Sequence, residues 1–419
     1  MANVSDLDGF FKRRYADKPE DLVPDHADFA EAIPFSKREK TGDDYQVTVR
    51  LKRAQGVTYG SDGSAFTLNA AIPGQSKPAR ANATSFVLRE TVSYDAAGKA
   101  TNSDDAFGDA FDAIVMDMEN SASLHREMMI LYGQSNLGAV TANGSSSASV
   151  QYTLTEASSA VGLWLQLQGA VVDVYDPTLT TQRNSVGDMT VSAVGLSSNQ
   201  RQVLVTLAGA TADNAAVVAG DVIVPKGWVG ESFAGVDKIA TNSGSLFGID
   251  ASLYALWQAN LVSAGSAALT MSTLTSAAAM QVQRSGQTGK KLTAFCSYLT
   301  WNNLNNDAAA LRRFAQSTKG SVDLGTMGAI TYYGPGVAID IKPSGLVKNG
   351  ELFMADWATI KRVGATDITF TLPGNSPNQE KFFLELGDKA GYELRCYFNQ
   401  CIIPTRPASI TKITGIVNN

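Results

Sequence analysis

The longest regular pattern of apolar residues in the chain lies between Ser103 and Tyr132. Apolar side chains recur there at steps of three and four, the spacing that places them on one face of an α-helix. Ser103 is a suitable N-cap and Gly133 a suitable stop. We therefore predict a helix over residues 103–132, about 45 Å long, which needs a surface to pack on. The apolar positions are Phe107, Phe111, Ile114, Met118, Ala122, His125, Met129 and Tyr132.

Two segments before this helix alternate apolar and polar residues, as β-strands do. In Tyr45–Arg53 the polar positions include Arg50 and Lys52. Ser85–Ser93 shows a similar pattern and carries Arg89 on its polar face. A stretch rich in glycine, serine and proline separates the two segments, so we predict that they form one long antiparallel hairpin. A two-stranded hairpin is marginal in water and needs a neighbour to lie on.

Residues 1–40 have the composition of an arm rather than of a domain. They mix acidic, basic and proline residues and are too short and too polar to bury a core of their own. Scattered apolar residues, among them Phe29 and Phe35, are candidates for docking onto another surface. Simple disorder of this segment is the alternative that the sequence leaves open.

After the long helix the pattern becomes more varied. Residues 134–158 are rich in glycine, serine and asparagine and are typical of a linker or of irregular sheet edges. Short strands separated by turn residues fill 160–225, which indicates a small β-barrel or sandwich. Further on, helices are predicted at 250–261 and 272–284, and a strong strand at 392–403. The chain is therefore of the α+β class.

Composition narrows the class of protein. Charged residues make up 18% of the 419 residues, against a typical value of about 25%, which suits a chain that buries much of its surface against copies or partners. The net charge of −6 offers no basic excess for neutralising phosphates, so the charge does not predict nucleic-acid binding. The three cysteines match neither a zinc site nor a disulfide framework. No signal peptide and no long apolar run is present, so no membrane span is expected.

Residues suited to catalysis are scattered along the chain. Of the two histidines, His26 lies in the arm and His125 on the apolar face of the long helix. No nucleophile elbow, P-loop or zinc-protease motif is present. Asp323, Asp340 and Asp356 are the carboxylates that could be weighed for general acid–base work, but scattered acids are usually solvated. We therefore expect no enzymatic activity, no metal site and no cofactor.

The order of these parts resembles that of the major capsid proteins of tailed bacteriophages, which share the Hong Kong 97-type fold. In that family an arm, a long β-hairpin, a long helix and a mixed α+β remainder follow one another as they do here. The resemblance is carried by loose patterns at 29–60, 230–250 and 391–416, and it covers nearly the whole chain in order. A small β insertion like that at 160–225 is found in some members.

The resemblance implies a fold and a division of the chain. The expected fold is α+β, a Hong Kong 97-type capsid fold with an N-arm, an extended β-hairpin E-loop, a long spine helix, peripheral (P) and axial (A) domains, and a small β-barrel-like insertion. The implied parts are the N-terminal arm 1–40, the E-loop 41–100, the P-domain 101–159 with spine helix 103–132, the β-rich insertion 160–225, mainly A-domain 226–365, and a return to the P-domain at 366–419.

The implied function is that of a structural subunit. It would self-assemble through pentamers and hexamers into the icosahedral or prolate head shell enclosing a double-stranded DNA phage genome. Implied partners are further copies of the chain, a portal protein, a scaffolding protein and, as an open option, a cement or decoration protein. DNA would be enclosed without sequence-specific binding, and no membrane is involved. The expected location is the virion, after assembly in the host cytoplasm. No long helical scaffolding segment precedes the arm, so we expect a separate scaffolding protein or a piece already removed.

In such a shell the arm and the E-loop are expected to reach over adjacent subunits, and their basic residues to pair with the acidic face of a neighbour's long helix. A solvated helix face is the alternative. Three other interpretations of the whole chain stay open: an encapsulin-like compartment shell, a β-rich tail or fibre binding protein of a phage, and a hydrolase that uses the scattered carboxylates. The candidate inter-subunit contacts are Phe29, Phe35, Arg50, Lys52, Arg89, Asp112 and Asp117.

Overall fold

The computed structural model describes residues 28–37, 44–63, 65–93, 108–286, 288–307, 330–334, 336–370, 384–387 and 389–418. Its helices are α1 Asp28–Ala32, α2 Gly108–Tyr132, α3 Val161–Trp164, α4 Thr211–Ala216, α5 Trp228–Glu231, α6 Val236–Ile239, α7 Met271–Ser285 and α8 Tyr298–Asn306. Its strands are β1 Phe35–Lys37, β2 Tyr45–Lys52, β3 Gln75–Ala81, β4 Thr84–Ser93, β5 Gly138–Ala139, β6 Ser149–Thr153, β7 Val171–Tyr175, β8 Met189–Leu196, β9 Val203–Ala208, β10 Val222–Pro225, β11 Ser245–Leu246, β12 Ile249–Asp250, β13 Asn260–Ala267, β14 Lys291–Cys296, β15 Ile330–Gly334, β16 Val337–Pro343, β17 Leu352–Ala355, β18 Ile360–Thr369, β19 Leu384–Glu385, β20 Gly391–Pro404 and β21 Ile410–Ile416.

The first of two large sheets, here called the P sheet, is built around the long strand β20. Its order is β1-β18-β20-β19, and β4 also pairs with β20. Strand β4 runs antiparallel to β20 from Thr84 opposite Gln400 to Ser93 opposite Gly391. The long helix α2 lies on one face of this sheet, where Met118 packs with residues of β20. The predicted long helix therefore has the surface that its length requires.

The predicted apolar face of the helix is confirmed for the side chains that the structure describes. Ala122 and Tyr132 are fully buried, and Ile114 packs against the buried cluster beneath the helix. The predicted first turn, residues 103–107, lies outside the described part of the chain. The helix ends before Gly133 as predicted, and this position has no room for a side chain, because a Cβ at Gly133 would lie 2.1 Å from the carbonyl oxygen of Phe233.

Two methionines of α2 provide a matched test of this face. Met118 is 1% exposed and Met116 is 63% exposed. We expect Met118→Ala to lower the free energy of unfolding by about 2–4 kcal/mol, because it leaves a cavity between helix and sheet. Met116→Ala should change it by no more than about 0.5 kcal/mol. Chemical denaturation of both variants checks the assignment, and similar losses would contradict it.

The hairpin pairs differently from the prediction. Strand β2 pairs antiparallel with β3, and Thr48 lies opposite Pro78. The predicted partner, Ser85–Ser93, is β4 and belongs to the P sheet. Pro78 suggested a turn, but a two-stranded hairpin has only edge strands, and an edge strand tolerates a proline whose missing N–H faces outward. The hairpin therefore ends near Ala81, well short of the predicted boundary at residue 100.

A closed barrel follows the long helix. Its strands are ordered β5-β10-β7-β8-β9-β6, and a bridge between Val140 and Leu154 joins the two ends. Trp164 of α3 is fully buried, and its ring would lie 3.1 Å from a Cβ at Gly138. The predicted barrel is thus present, but it begins at β5 rather than at residue 160. The polar segment 134–158, predicted to be a linker or irregular sheet edges, supplies the two strands β5 and β6 at the ends of the strand order, because closure requires partners for both edges.

The second large sheet, here called the A sheet, has the order β13-β21-β17-β14-β16-β15. Helix α7 covers it, with Leu274 and Ala278 buried against strand residues such as Ile339. Strand β21 lies second in this sheet, parallel to β13. The segment 366–419 therefore returns to the P sheet through β20 and then crosses to the A sheet.

The helix predicted at 250–261 is wrong. The segment forms the end of β12, a single 3-10 turn at Ala255–Trp257 and the start of β13. Of its apolar residues, Trp257 is buried, whereas Leu253 and Leu256 are exposed. The helical spacing of these residues therefore did not mark a face that packs on a core, which is the assumption behind the prediction.

Candidate assembly surfaces

The base of the β2–β3 hairpin is anchored to its own chain. Tyr45, Leu51 and Ala79 are buried in the main core. The Arg80 N–H donates to the carbonyl oxygen of Phe247 at 2.9 Å. The apolar face of β2 thus rests on the protein, while Arg50 and Lys52 on the other face are exposed.

The tip of the hairpin, residues 53–74, is exposed almost throughout. Of its described residues only Thr58 is partly buried. The Gln55 N–H donates to the carbonyl oxygen of Ile72 at 3.1 Å, and the Asn69 N–H donates to Thr58 Oγ1 at 2.8 Å. Exposed apolar patches occur at protein or membrane contact sites, in ligand-binding grooves or at aggregation-prone segments, so the tip is a candidate contact surface. The large apolar side chains exposed in the tip are Val57, Tyr59, Phe66, Leu68 and Ile72.

Arg89 lies on the face of the P sheet opposite to the long helix, not on the hairpin. Its Nε is 2.5 Å from Glu393 Oε2, and Arg395, directly across the strand pair, also contacts Glu393. One buried carboxylate therefore pairs with two guanidinium groups. Among these three side chains the positive charge is in excess by one. Val87, on the same face, is 54% exposed. The described residues thus leave a basic, partly apolar sheet face available for contact, here called the open P face.

Of the two acidic residues of the long helix that were predicted to make contacts, the structure describes the side chain of one. The side chain of Asp112 lies outside the described part, and Asp117 is exposed. Burial raises the pKa of Glu90, on β4, and the negative charge of Asp117 raises it further. Asp117 therefore acts on its own P sheet, and its contact with a neighbouring chain stays a prediction.

Phe29 and Phe35 dock onto their own chain. The Phe29 ring is fully buried, 4.6 Å from the ring of Phe295 in the A sheet and 5.6 Å from that of Trp357. Strand β1 pairs in parallel with β18, which puts Phe35 beside Arg362, whose guanidinium is 5.4 Å from the ring centre. The described arm segment, 28–37, thus docks on its own chain, and Phe29 belongs to the internal core because it fills the junction of the two sheets.

Two buried charged sites were not singled out by the sequence pattern. Glu127 of α2 accepts hydrogen bonds from the backbone of α1. Lys412 of β21 lies between Asp237 and Glu351, 2.8 Å from Glu351 Oε1. The signal in the sequence is weak in both cases, since one charged residue within an apolar stretch also fits an exposed position. Their role follows from the contacts made by distant segments.

The groups considered for chemistry are dispersed in the described part of the chain. His125 packs near Phe86, and burial lowers its pKa. Asp340 pairs with Lys291 at 2.6 Å, and Asp323 lies outside the described residues. No cluster of histidine, cysteine and acidic side chains suited to a metal ion occurs among the described residues. None of the described helices has the length and apolarity needed to span a membrane.

Comparison with known proteins identifies structures that share this fold. No family model and no curated protein matches the sequence. The capsid asymmetric unit of cyanophage A-1(L) aligns with a TM-score of 0.54 at 11% identity, covering 99% of this chain and 98% of that chain. The capsid of a native GTA particle aligns with a TM-score of 0.48 at 9% identity, covering 100% and 99%. An encapsulin complex from Synechococcus elongatus aligns with a TM-score of 0.39 at 8% identity, covering 99% and 96%.

The cyanophage alignment, over nearly the whole of both chains, establishes the fold. The chain has the Hong Kong 97-type capsid fold, an α+β fold with an arm segment, an extended hairpin, a long helix and two sheets. The fold that the sequence predicts is thereby confirmed.

Proposed function

We propose that this chain is the major capsid protein of a tailed bacteriophage. In this proposal it assembles through pentamers and hexamers into the icosahedral or prolate shell that encloses a double-stranded DNA genome. The observation that carries the proposal is the exposed apolar tip of a hairpin whose base is anchored, on a chain with a capsid fold. When another copy of the chain covers this loop, its exposed apolar side chains are removed from water.

The contact that we propose joins two different surfaces of neighbouring copies. The tip of one chain lies on the open P face of the next, so that Tyr59 and Leu68 cover Val87. Asp62, exposed at the turn of the tip, then approaches the two arginines that share Glu393. A contact between unlike surfaces generates a ring when the rotation closes, as pentamers and hexamers require.

The energetics favour apolar burial as the main source of shell stability. Exposed ion pairs contribute only about 0–1 kcal/mol each, so the approach of Asp62 to the two arginines adjusts the contact rather than drives it. A standard interface buries roughly 1,600 Å², and a subunit held by several such contacts dissociates far less readily than one held by a single contact. Modest contacts repeated by symmetry are therefore sufficient.

The other functional assignments are proposals that follow from this one. The chain has a structural rather than an enzymatic role, with the virion as its location and the host cytoplasm as its place of assembly. Portal and scaffolding proteins are its expected partners, and a cement or decoration protein is an option. DNA is enclosed without sequence-specific contacts, which suits the net charge of −6.

Assembly of the purified chain tests the proposed function. We expect size-exclusion chromatography and negative-stain electron microscopy to show pentamers, hexamers or closed shells, and co-expression with a scaffolding protein to shift capsomers towards shells. Elongated trimers or a persistent monomer under both conditions would overturn the proposal, and trimers would favour the fibre interpretation. Shells that package an enzyme rather than DNA would favour a compartment.

A further inference from the structure

The arm segment 28–37 is attached to the long helix through a buried carboxylate. The Phe29 N–H donates to Glu127 Oε2 at 2.8 Å, and the Ala30 N–H donates to Glu127 Oε1 at 2.9 Å. The Glu127 side chain is completely buried. Because α1 packs on α2 at this point, undocking of the arm would expose the carboxylate to water.

The surroundings of Glu127 contain few charges that could compensate its burial. Arg126, on the same helix, has a guanidinium nitrogen 4.0 Å from Glu127 Oε1, at the limit of an ion pair. Asp28 of α1 adds a repulsive charge. On β18, Arg362 also faces Glu127, but both arginines bond to Asp367, at 3.3 Å from Arg126 and 3.2 Å from Arg362.

Burial outweighs the favourable contacts of the carboxylate. It raises the pKa of Glu127 from its ordinary value of 4.5 to about 7, although the two backbone N–H groups and Arg126 act in the opposite direction. A protonated carboxyl group can still accept one N–H through its carbonyl oxygen, and it places no charge in the core. The docked arm therefore prefers a protonated Glu127, and the undocked arm an ionised one.

We propose that Glu127 is a proton-sensitive latch for the arm segment 28–37, which is held more tightly when the side chain is protonated and is released more readily when it is ionised. The sign follows from linkage. The docked pKa lies above the undocked one, so docking is most stable below about pH 4.5 and loses stability as pH rises through about 7. The latch lies within one chain and does not depend on shell assembly.

Hydrogen exchange of the full-length chain tests the latch. Phe29→Ala serves as the background, because it weakens docking so that the arm opens locally rather than through global unfolding. After correction for the intrinsic pH dependence of exchange, protection of residues 28–37 should fall on the order of tenfold between pH 6 and pH 8. Glu127→Gln in the same background should remove this dependence.

Glu119→Gln is the matched control, because Glu119 lies on the exposed face of the same helix. It should retain the fall in protection seen in the background chain. Three results would overturn the proposal: constant protection of the arm segment across this pH range, protection that increases with pH, or an unchanged pH dependence in the Glu127→Gln chain.

Discussion

Replacing residues 55–72 by a short turn is expected to leave the chain folded and to abolish capsomer and shell formation. Within this stretch every described residue except Thr58 is exposed, so its removal takes almost nothing from the core. The buried residues at the base of the hairpin, including Tyr45 and Leu51, remain in place. The deletion must stop before β3, because Ala79 and Ala81 are part of the core.

The expected effect on assembly is large because the loss is repeated in every copy. A large apolar side chain that becomes covered contributes about 1.5–3 kcal/mol, so five of them account for several kcal/mol per contact even when covered in part. Unfolding curves of the shortened and the complete chain should coincide when both are unassembled. Negative-stain images should show shells or capsomers for the complete chain alone.

Point substitutions in the tip show whether assembly depends on its apolar side chains or only on the length of the loop. Leu68→Ala should weaken assembly, because Leu68 is 76% exposed in the free chain and is proposed to be covered in the shell. Thr67→Ala is the matched control, since Thr67 is an exposed polar neighbour in the same loop, and its change should leave assembly intact. Intact shells from the shortened chain would refute the role proposed for the tip.

Lys412→Met is expected to lower the free energy of unfolding by about 3–5 kcal/mol, the loss typical of a buried ion pair deprived of one partner. Lys412 bonds to Asp237 and to Glu351 and is 12% exposed. Burial by itself would lower the pKa of Lys412, but Glu351 and Asp237 hold it above its ordinary value. Without this ammonium group the two carboxylates, close to the end of the long helix, keep only the more distant charge of the buried Lys348.

A surface ion pair of similar length is the control for Lys412. Lys226 lies 2.6 Å from Asp188, and both side chains are more than half exposed. Lys226→Met should therefore change the free energy of unfolding by about 1 kcal/mol or less. Chemical denaturation is best carried out on the chain without the hairpin tip, so that assembly does not contribute. If the two Lys→Met variants lost equal free energy of unfolding, burial would not be the reason for the effect at Lys412.

Local patterns predict the elements whose burial depends on one packed face. The helix around Met118 was recognisable because its apolar spacing continues over many turns, and β2 because its alternation fits a strand with one side on the core. Apolar spacing gave a wrong prediction where the spaced residues do not pack on a core. At Leu253 and Leu256 the apolar residues are exposed, so their helical spacing had no structural meaning.

Partners distant in sequence could not be predicted in the same way. Strand β4 alternates as a hairpin strand would, yet it pairs with β20, about 300 residues further along the chain. A strand pattern reports which face is buried and does not identify the neighbouring strand. For the same reason Phe29, a candidate contact with a neighbouring chain, lies in the core of its own chain, and Arg89, expected on the hairpin, pairs with Glu393 within the P sheet.

The sequence by itself determined the α+β class, the long helix with its apolar face, and the order of parts that resembles phage capsid proteins. Only the tertiary structure decided which strands pair, where the barrel begins, which arm residues are internal, that Glu127 is buried and that Lys412 lies between two carboxylates. The physical reason is that periodicity is a local property of the chain, whereas strand pairing, burial of charge and the exposure of the hairpin tip depend on segments that meet only in the folded protein.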